Sequence, residues 1–116
     1  MSDTDCLFCR IASGDIPSKK VFEDGEFFAF RDINPQAPVH VLLIPKRHIP
    51  MLSGLEKSDG ALMGSLVLRA AEIARQEGIS DSGYRFVVNN GESASQSVFH
   101  IHAHILGGRR FGWPPG

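Results

Sequence analysis

The stretch His100-Ile101-His102-Ala103-His104-Ile105, "HIHAHI", places three histidines in strict alternation with apolar residues. Side chains of a β-strand point alternately to its two faces, so this pattern predicts a strand with one histidine face and one apolar face. The apolar face belongs to the core. Because three imidazoles buried without partners would be costly, the histidine face is expected to line a cleft or a polar surface.

The segments on either side of this strand predict an α+β fold. Turn residues Asp24-Gly25 divide "VFEDGEFFAF" (21–30) into a hairpin, "VHVLLIP" (39–45) is typical of a buried strand, and "GYRFVVNNG" (83–91) of a further one. The last strand, "VFHIHAHIL" (98–106), ends at two glycines. A short helix is expected over 7–12 and a long one over about 58–77, from apolar residues at helical spacing. This order predicts an antiparallel sheet with both helices on one face.

Composition limits the kinds of partner. With 116 residues, 42% of them hydrophobic, the chain is expected to form a single domain, 1–116. The net charge of −1 and scattered basic residues argue against nucleic-acid or membrane binding. The first ten residues lack the features of a secretory signal, so a cytoplasmic location is expected. There, Cys6 and Cys9 favour a metal or redox role over a structural disulfide, although both could be buried apolar fillers.

Three interpretations of the histidine face remain open at this point. The histidines could bind a catalytic zinc as an open three-histidine site, act as nucleophile and acid–base groups without a metal, or form a solvated polar face. Three histidines at period two, close to Asn89, Asn90, Gln96 and Ser97, argue against the solvated face. Periodicity alone does not choose between a metal and a nucleophile.

Four blocks of the sequence together resemble one family. "SVFHIHAHILGG" (97–108) resembles the His-φ-His-φ-His-φ-φ motif, φ being apolar, that names the histidine triad (HIT) superfamily. "CLFCRIASGDIPSKKVFED" (6–24) and "DINPQAPVHVLLIPKRHI" (32–49) resemble its upstream blocks, and "GRRFGWPPG" (108–116) the end of its Hint branch. The resemblance implies a HIT-like fold with a five-stranded antiparallel sheet, one long and one short helix. It also implies a homodimer joined through the main helix and a central strand, with 107–116 as a C-terminal tail that reaches toward the neighbouring site.

The activity implied by the resemblance is hydrolysis or transfer at the α-phosphate of purine nucleoside 5′-phosphoramidates or related nucleotidyl conjugates. His102 matches the histidine that becomes nucleotidylated, and the chemistry requires no cofactor. An imidazole is suited to this role because its neutral nitrogen is nucleophilic near neutral pH. His104 is expected to stabilise phosphate charge, with Gln96 and Ser97 as phosphate and leaving-group contacts.

The resemblance also implies a nucleotide pocket. Asp32 matches the carboxylate that accepts the ribose hydroxyls, Asn89 a polar residue of the phosphate cleft, and four apolar residues the wall around the purine: Leu7, Phe8, Phe30 and Ile33. One position departs from the family, because Ser95 stands where a glycine is common before Gln96. The conformation of the phosphate loop is therefore in question.

A structural zinc site is the second implication. Some bacterial HIT proteins bind zinc through residues that match Cys6, Cys9, His40 and His100. Without zinc, His100 would instead orient the nucleophile by hydrogen bonding. His48 has no expected chemistry and is interpreted as a surface or capping histidine.

Two other functions stay in competition with this hydrolase. The chain could be a nucleotide- and zinc-binding interaction module without catalysis, or a hydrolase whose zinc is held by the three histidines. Metal content and turnover distinguish them.

Overall fold

The computed structural model describes residues 5–116. Seven helices and strands follow one another as α1 (Leu7–Ser13), β1 (Lys20–Glu23), β2 (Phe27–Arg31), β3 (Val39–Pro45), α2 (Gly60–Gln76), β4 (Tyr84–Val87) and β5 (Ala103–Gly107). The strands form one antiparallel sheet in the order β1-β2-β3-β5-β4. The predicted α+β class, the five-stranded sheet and the long and short helices are confirmed.

Helix α2 covers one face of the sheet, called here the core face. Apolar residues of α2, among them Leu66, Ala70 and Ile73, pack against Val41 and Leu43 of β3. Ala103 and Ile105 of β5 belong to the same cluster, so the apolar face expected of the histidine strand is in the core. Helix α2 ends at Gln76, and Gly78, two residues later, has a φ of +75°, a conformation that glycine adopts without strain.

Helix α1 packs on the opposite face, called here the site face. Phe8 and Ile11 of α1 form a second cluster with Phe28, Phe30 and Leu42, which alternate along β2 and β3 with the residues of the core face. The prediction that both helices lie on one face is therefore wrong. The consecutive phenylalanines at the start of β2 indicate in the sequence that the sheet is covered on both faces, since a strand buried on both sides loses its alternation of polar and apolar residues.

The histidine strand is shorter than predicted, because β5 begins only at Ala103. Upstream of it, the Ile101 amide donates to the carbonyl of Ile49 (2.7 Å) rather than to a neighbouring strand. His100 and His102 thus lie before the regular ladder, where strict alternation does not apply. At the other end, β5 includes Gly107, and residues 108–116 form no helix or strand.

Within the described part of the chain, no helix combines the length and hydrophobicity that crossing a lipid bilayer requires.

Gly107 allows β5 to pack closely against Ile79, and this contact predicts the effect of adding a methyl group. A Cβ at Gly107 would lie 2.7 Å from Cδ1 of Ile79. We expect Gly107→Ala to lower the free energy of unfolding by about 1–3 kcal/mol through overpacking. Urea denaturation measures this, with Gly54→Ala as the matched control because no atom lies within 4 Å of its added Cβ. Equal stabilities of the two variants would contradict the prediction.

Candidate active site

The candidate site lies on the part of the site face that α1 does not cover. Antiparallel register places Val87 opposite His104 and Arg85 opposite Leu106, while His40 of β3 pairs with Leu106 from the other side. Residues directly opposite each other in a sheet share a face. Strands β3, β5 and β4 thus present two histidines and an arginine on one surface, with His102 just before it along the chain.

His102 is held in one neutral tautomer by the backbone. Its Nδ1 lies 2.8 Å from the carbonyl oxygen of His100. A carbonyl only accepts hydrogen bonds, so Nδ1 carries the proton and Nε2 keeps its lone pair. The only hydrogen bond of the His102 ring to another of residues 5–116 is the one at Nδ1, so Nε2 is not engaged. An imidazole nitrogen with an uncommitted lone pair is a nucleophile.

Packing supports the neutral form of His102. The residue is buried, and the ring of Phe8 meets its imidazole edge-on at a centroid distance of 4.9 Å. Burial lowers the pKa of His102, and the hydrogen bond to His100 and the charge of Asp32 only partly oppose this shift. Helix α1 thus contributes to the site through Phe8.

His104 belongs to a chain of polar groups that starts at the Gln36 backbone. The Gln36 amide donates to Nδ1 of His40 (3.1 Å), so neutral His40 carries its proton on Nε2. That Nε2 lies 2.9 Å from Nδ1 of His104 and 3.4 Å from Oδ2 of Asp32. His104 therefore accepts at Nδ1 and carries its own proton on Nε2. The adjacent histidines thus differ: His102 has a free lone pair at Nε2, and His104 an N–H donor.

The pKa values of His40 and His104 agree with neutral imidazoles. Burial, together with repulsion from the imidazoles of His102 and His40, lowers the pKa of His104 to about 4, and the charge of Asp32 only partly opposes this shift. Burial likewise lowers the pKa of His40 against the effect of Asp32. His104 can therefore donate through Nε2 across the physiological pH range without being charged.

His100 turns away from this surface and joins two cysteines. Its Nδ1 lies 3.3 Å from Sγ of Cys6, 3.4 Å from Sγ of Cys9 and 3.2 Å from Nδ1 of His48. These four residues are called here the cysteine–histidine cluster. The predicted ligand set is corrected at one position: His48 occupies the place expected for His40, because the β3 backbone directs His40 to Asp32 and His104 instead.

The cysteine–histidine cluster fits a tetrahedral metal ion. Its four donor atoms all lie within 4.8 Å of one another. A zinc ion with Zn–S bonds of about 2.3 Å and Zn–N bonds of about 2.0 Å separates its ligand atoms by roughly 3.3–3.8 Å, close to the contacts of 3.2–3.4 Å found here. His100 is in the required tautomer, since its Nε2 donates to the carbonyl of Pro45 (2.7 Å) and leaves Nδ1 unprotonated.

The start of helix α1 brings the two thiols together. Cys6 is the N-cap residue of α1, and its Sγ accepts from the backbone amide of Cys9 (3.4 Å). The C-x-x-C spacing thus places both sulfur atoms on the same side of the first helical turn. His48 lies in the segment that follows β3, and its Nδ1 is 3.4 Å from Sγ of Cys9.

The loop before His100 is organised by Gln96, which is buried. Its Oε1 accepts from the Gly91 amide (2.7 Å), and its Nε2 donates to the carbonyls of Pro50 (2.8 Å) and Val98 (3.2 Å). Both N–H groups of the amide are therefore used. The Gln96 side chain thus holds the loop, and Ser97 is its exposed neighbour, while the phosphate contact of Gln96 stays a prediction.

Ser95 shows why glycine is common at its position. Its φ of 68° and ψ of 30° lie in the left-handed region, and Ser95 is the only non-glycine residue among 5–116 with a positive φ. That conformation costs a residue with a side chain about 1–2 kcal/mol. The loop keeps the backbone shape that glycine favours.

The residues predicted to enclose a purine are divided between two places. A pocket of about 610 Å³, called here the Asp32 pocket, is lined by Asp32, the fully exposed Ile33 and His40. Phe8 and Phe30 instead pack against each other in the cluster under α1, at a ring distance of 5.5 Å, and do not line this pocket. Leu7 is half exposed on α1.

A second pocket, of about 260 Å³, is called here the tail pocket because C-terminal residues form one of its walls. Its lining comprises Gln36, His40, Arg85, Val87, Asn89, His104, Leu106, Arg109, Phe111 and Pro115. Asn89 therefore lies beside His104, whereas Arg85, Arg109 and Phe111 were missed from the sequence. The alternation of side chains along β4 could have identified Arg85, because it places Arg85 on the same face of the sheet as Val87.

Comparisons with known proteins extend over nearly the whole chain. The HIT domain model matches residues 13–111. A protein of Zea mays named 14 kDa zinc-binding protein is 49% identical over 119 residues, with 100% of this chain and 91% of the relative covered. A protein of Arabidopsis thaliana named adenylylsulfatase HINT1 is 48% identical over 118 residues, with 99% and 79% covered. The crystal structure of a HIT family hydrolase from Legionella pneumophila superimposes with a TM-score of 0.94 at 50% identity, covering 96% of this chain and 99% of that one.

The lowered pKa of His104 predicts how stability changes with pH. The unfolded chain takes up a proton at this histidine near pH 6.5, whereas the folded chain does so only near pH 4. Because the unfolded state binds more protons between these values, the free energy of unfolding is expected to fall as the pH drops from about 6.5 to about 4. Asp32, His40 and His102 face His104, and Arg85 and Arg109 line the same pocket.

We expect His104→Gln to reduce this loss of stability, because glutamine does not titrate. Denaturant titrations at pH 7, 5.5 and 4.5 measure it, and Lys57→Gln, at an exposed site, is the control that should follow the original chain. A pH dependence in His104→Gln as steep as in the original chain would contradict the assignment.

Proposed function

The chain belongs to the HIT domain family and is a nucleotide hydrolase of the HIT superfamily, and from this premise we propose that it cleaves purine nucleoside 5′-phosphoramidates or related nucleotidyl conjugates through His102. The observation that carries the proposal is the tautomer of His102. Its Nδ1 proton is committed to the His100 carbonyl, so the lone pair of Nε2 is available for attack on phosphorus.

In the first step of the proposed reaction, Nε2 of His102 attacks the α-phosphorus. A P–N bond forms while the bond from phosphorus to the leaving group breaks, which gives a nucleotidyl-histidine. Water then attacks the same phosphorus, and the P–N bond breaks to release the nucleoside monophosphate. Covalent catalysis of this kind divides one difficult displacement into two easier ones.

His104 supplies the hydrogen-bond donor for the phosphorus centre. Its Nε2–H is directed by the bond from His40 to its other nitrogen (2.9 Å), so the donor is in place before substrate arrives. When the leaving group is an amine, the proton that it needs comes from solvent water, and His104 keeps its Nε2–H as a hydrogen-bond donor. His40 thus acts as a positioning residue for His104.

Asp32 is proposed to bind the ribose. Its Oδ1 accepts from the Asn34 amide (2.8 Å) and its Oδ2 faces His40, yet a carboxylate accepts about four hydrogen bonds, which leaves capacity for two hydroxyl groups. Ile33 stands next to it with its side chain exposed, as a surface for the purine. Ser97 and Asn89 are proposed to contact the α-phosphate.

We propose that the cysteine–histidine cluster holds a structural zinc ion. The donor set, the contact distances and the His100 tautomer support this, and a relative bears the name zinc-binding protein. Zinc bound there would cross-link the start of α1 to the segments that follow β3 and precede β5. No catalytic step requires it.

A homodimer is proposed through α2 and β4. Val67 and Leu68 of α2 are more than half exposed, although both are large and apolar. Strand β4 is an edge strand whose Phe86 is also exposed. In a dimer that joins two such edges, β4 would become a central strand, which would protect its free hydrogen-bonding groups.

His102→Ala provides the direct test of catalysis. With adenosine 5′-phosphoramidate, we expect kcat to fall by at least about three orders of magnitude, because the nucleophile is removed while the binding residues remain. Rapid quenching at neutral pH followed by mass spectrometry should show an AMP increment on the His102 peptide of the original chain and none in the variant.

Nucleotide binding by His102→Ala, measured by calorimetry with AMP, shows that the variant has kept its site. Retained turnover in His102→Ala would exclude the proposed nucleophile. Binding of AMP by the original chain without cleavage of phosphoramidate, nucleotide-sulfate or dinucleoside polyphosphate substrates would favour the non-catalytic interaction module.

Zinc content separates the observed ligand set from the one predicted by sequence. We expect about one zinc per chain in the purified protein and in His40→Gln, but less than a tenth of that in His48→Ala, because a tetrahedral site needs all four ligands. Mass spectrometry of the metal content gives the values. Zinc retained in His48→Ala, or lost in His40→Gln, would contradict the assignment.

A further inference from the structure

The cysteine–histidine cluster contains two neighbouring thiols that differ in their exposure to solvent. Both cysteines are in the thiol form, and Cys6 is buried whereas Cys9 is partly exposed. All donor atoms of the cluster, the two sulfur atoms included, lie within 4.8 Å of one another. An accessible thiol beside a second thiol is the arrangement in which oxidation ends at a disulfide, because the second sulfur captures the sulfenic acid before it is oxidised further.

The start of helix α1 places the two sulfur atoms so that they can be joined. Cys6 is the N-cap residue with an extended backbone, Cys9 is the third residue of the helix, and the Cys9 amide donates to Sγ of Cys6 (3.4 Å). The sulfur of Cys6 therefore already lies over the turn that carries Cys9. A disulfide needs about 2.0 Å between the sulfur atoms, and C-x-x-C is the spacing of dithiols that cycle between the thiol and the disulfide form.

One residue between the two cysteines packs directly against the proposed nucleophile. The ring of Phe8 meets the imidazole of His102 edge-on at a centroid distance of 4.9 Å, and that of His100 at 6.2 Å. Phe8 is also buried, so its ring has little space to move independently of the helix. A change in the backbone between Cys6 and Cys9 therefore alters the packing of His102.

His100 provides a second connection from the thiols to the nucleophile. Its Nδ1 lies 3.3 Å from Sγ of Cys6 and 3.4 Å from Sγ of Cys9, and its carbonyl oxygen accepts the hydrogen bond from Nδ1 of His102 (2.8 Å). The same residue thus contacts both sulfur atoms with its side chain and fixes the tautomer of His102 with its backbone. The state of the thiols and the state of the nucleophile are linked through His100 and through Phe8.

We propose that Cys6 and Cys9 form a reversible redox switch, in which oxidation by a hydroperoxide to a disulfide releases the zinc ion and lowers the rate of hydrolysis at His102. This inference rests on the proposed function, because it adds the regulation of the same site. It concerns the two thiols themselves, so formation of the disulfide is measured independently of catalysis.

The oxidation proceeds in two steps with hydrogen peroxide as the oxidant. The thiolate of the accessible Cys9 attacks one peroxide oxygen, so that an S–O bond forms, the O–O bond breaks and hydroxide leaves. The thiolate of Cys6 then attacks the sulfur of Cys9, an S–S bond forms, the S–O bond breaks and a second hydroxide leaves. Both hydroxides take protons from solvent and become water.

The two sulfur atoms together lose two electrons, and the peroxide gains them. The charge of the zinc ion does not change. The metal is released because its sulfur ligands must be thiolates, and the sulfur atoms of a disulfide carry no charge. His48 and His100 alone do not complete a tetrahedral site.

The test follows the thiols, the metal and the activity in one sample. The zinc-loaded chain is exposed to hydrogen peroxide, the reaction is stopped with catalase, and mass spectrometry of the peptide that contains Cys6 and Cys9 detects the loss of two hydrogen atoms. A chromogenic chelator measures the released zinc. We expect about one disulfide and about one zinc ion per chain, formed at the same rate, because disulfide formation removes two of the four ligands.

Activity is measured as kcat/KM for adenosine 5′-phosphoramidate before and after oxidation. We expect it to fall at least about tenfold as the disulfide forms, since the packing and the hydrogen bond that orient His102 are disturbed. Dithiothreitol followed by zinc should restore it, because reduction regenerates both thiolates.

Two kinds of variant control for oxidation elsewhere in the chain. In Cys9→Ser one sulfur is removed and no disulfide can form within the chain, so its remaining activity should fall much less on exposure to peroxide. Met51→Leu/Met63→Leu removes two other oxidisable sulfur atoms at nearly constant side-chain volume, and this double variant should respond as the original chain does. If Cys9→Ser does not fold, the methionine variant and the original chain decide.

The possible failures are distinguishable. Cysteines that pass to sulfinic acid without a disulfide overturn the inference, as does a disulfide that changes kcat/KM by less than twofold. Protection of the activity by the methionine substitutions overturns it as well. If the untreated chain cleaves no substrate, the proposed hydrolysis itself fails and its regulation falls with it, whereas a chain that cannot be loaded with zinc contradicts the proposed metal site and the release step.

Discussion

The hydrogen bond between Nδ1 of His102 and the carbonyl oxygen of His100 is the contact on which the rest of the site depends. It determines which nitrogen of His102 is nucleophilic. Its acceptor is itself fixed, because the His100 side chain is anchored at one nitrogen by the Pro45 carbonyl and faces the cysteines with the other. His100, which faces the cysteines, and His102, the proposed nucleophile, are therefore joined by a hydrogen bond through the carbonyl group of His100. The position of His100 thus determines the orientation of the His102 ring.

Helix α1 determines where a site can exist at all. It covers the β2 and β3 part of the site face with Phe8 and Ile11, and it is too short to reach β4 and β5. The same helix supplies the cysteines at its first turn and the ring that packs against His102. One seven-residue element thus closes a small core, presents thiols for a metal and leaves the histidine surface open.

The sequence predicted the fold class, the sheet and both helices, because hydrophobic period and turn residues carry that information locally. It could not assign the partners of each histidine, since these depend on register between distant strands. For this reason His48 was not recognised as a member of the cysteine–histidine cluster, and His40 was assigned to it: His40 lies in β3 and His48 shortly after it, and their positions along the chain do not show which of the two faces the cysteines. The place of Arg85 in a pocket was not predicted, because an arginine on an edge strand is expected to be solvated. Only the structure shows that C-terminal residues lie beside it.

The amide of Gln96 has a thermodynamic consequence. Because all of its hydrogen-bonding groups are engaged by the backbone of Gly91, Pro50 and Val98, the loop that precedes the nucleophile is ordered before any ligand arrives. The conformational entropy of that loop is lost during folding rather than during binding. The loop is thus expected to contribute only a small entropic penalty when a nucleotide binds at this surface. The left-handed backbone of Ser95 is the position in the loop where this ordered conformation is strained.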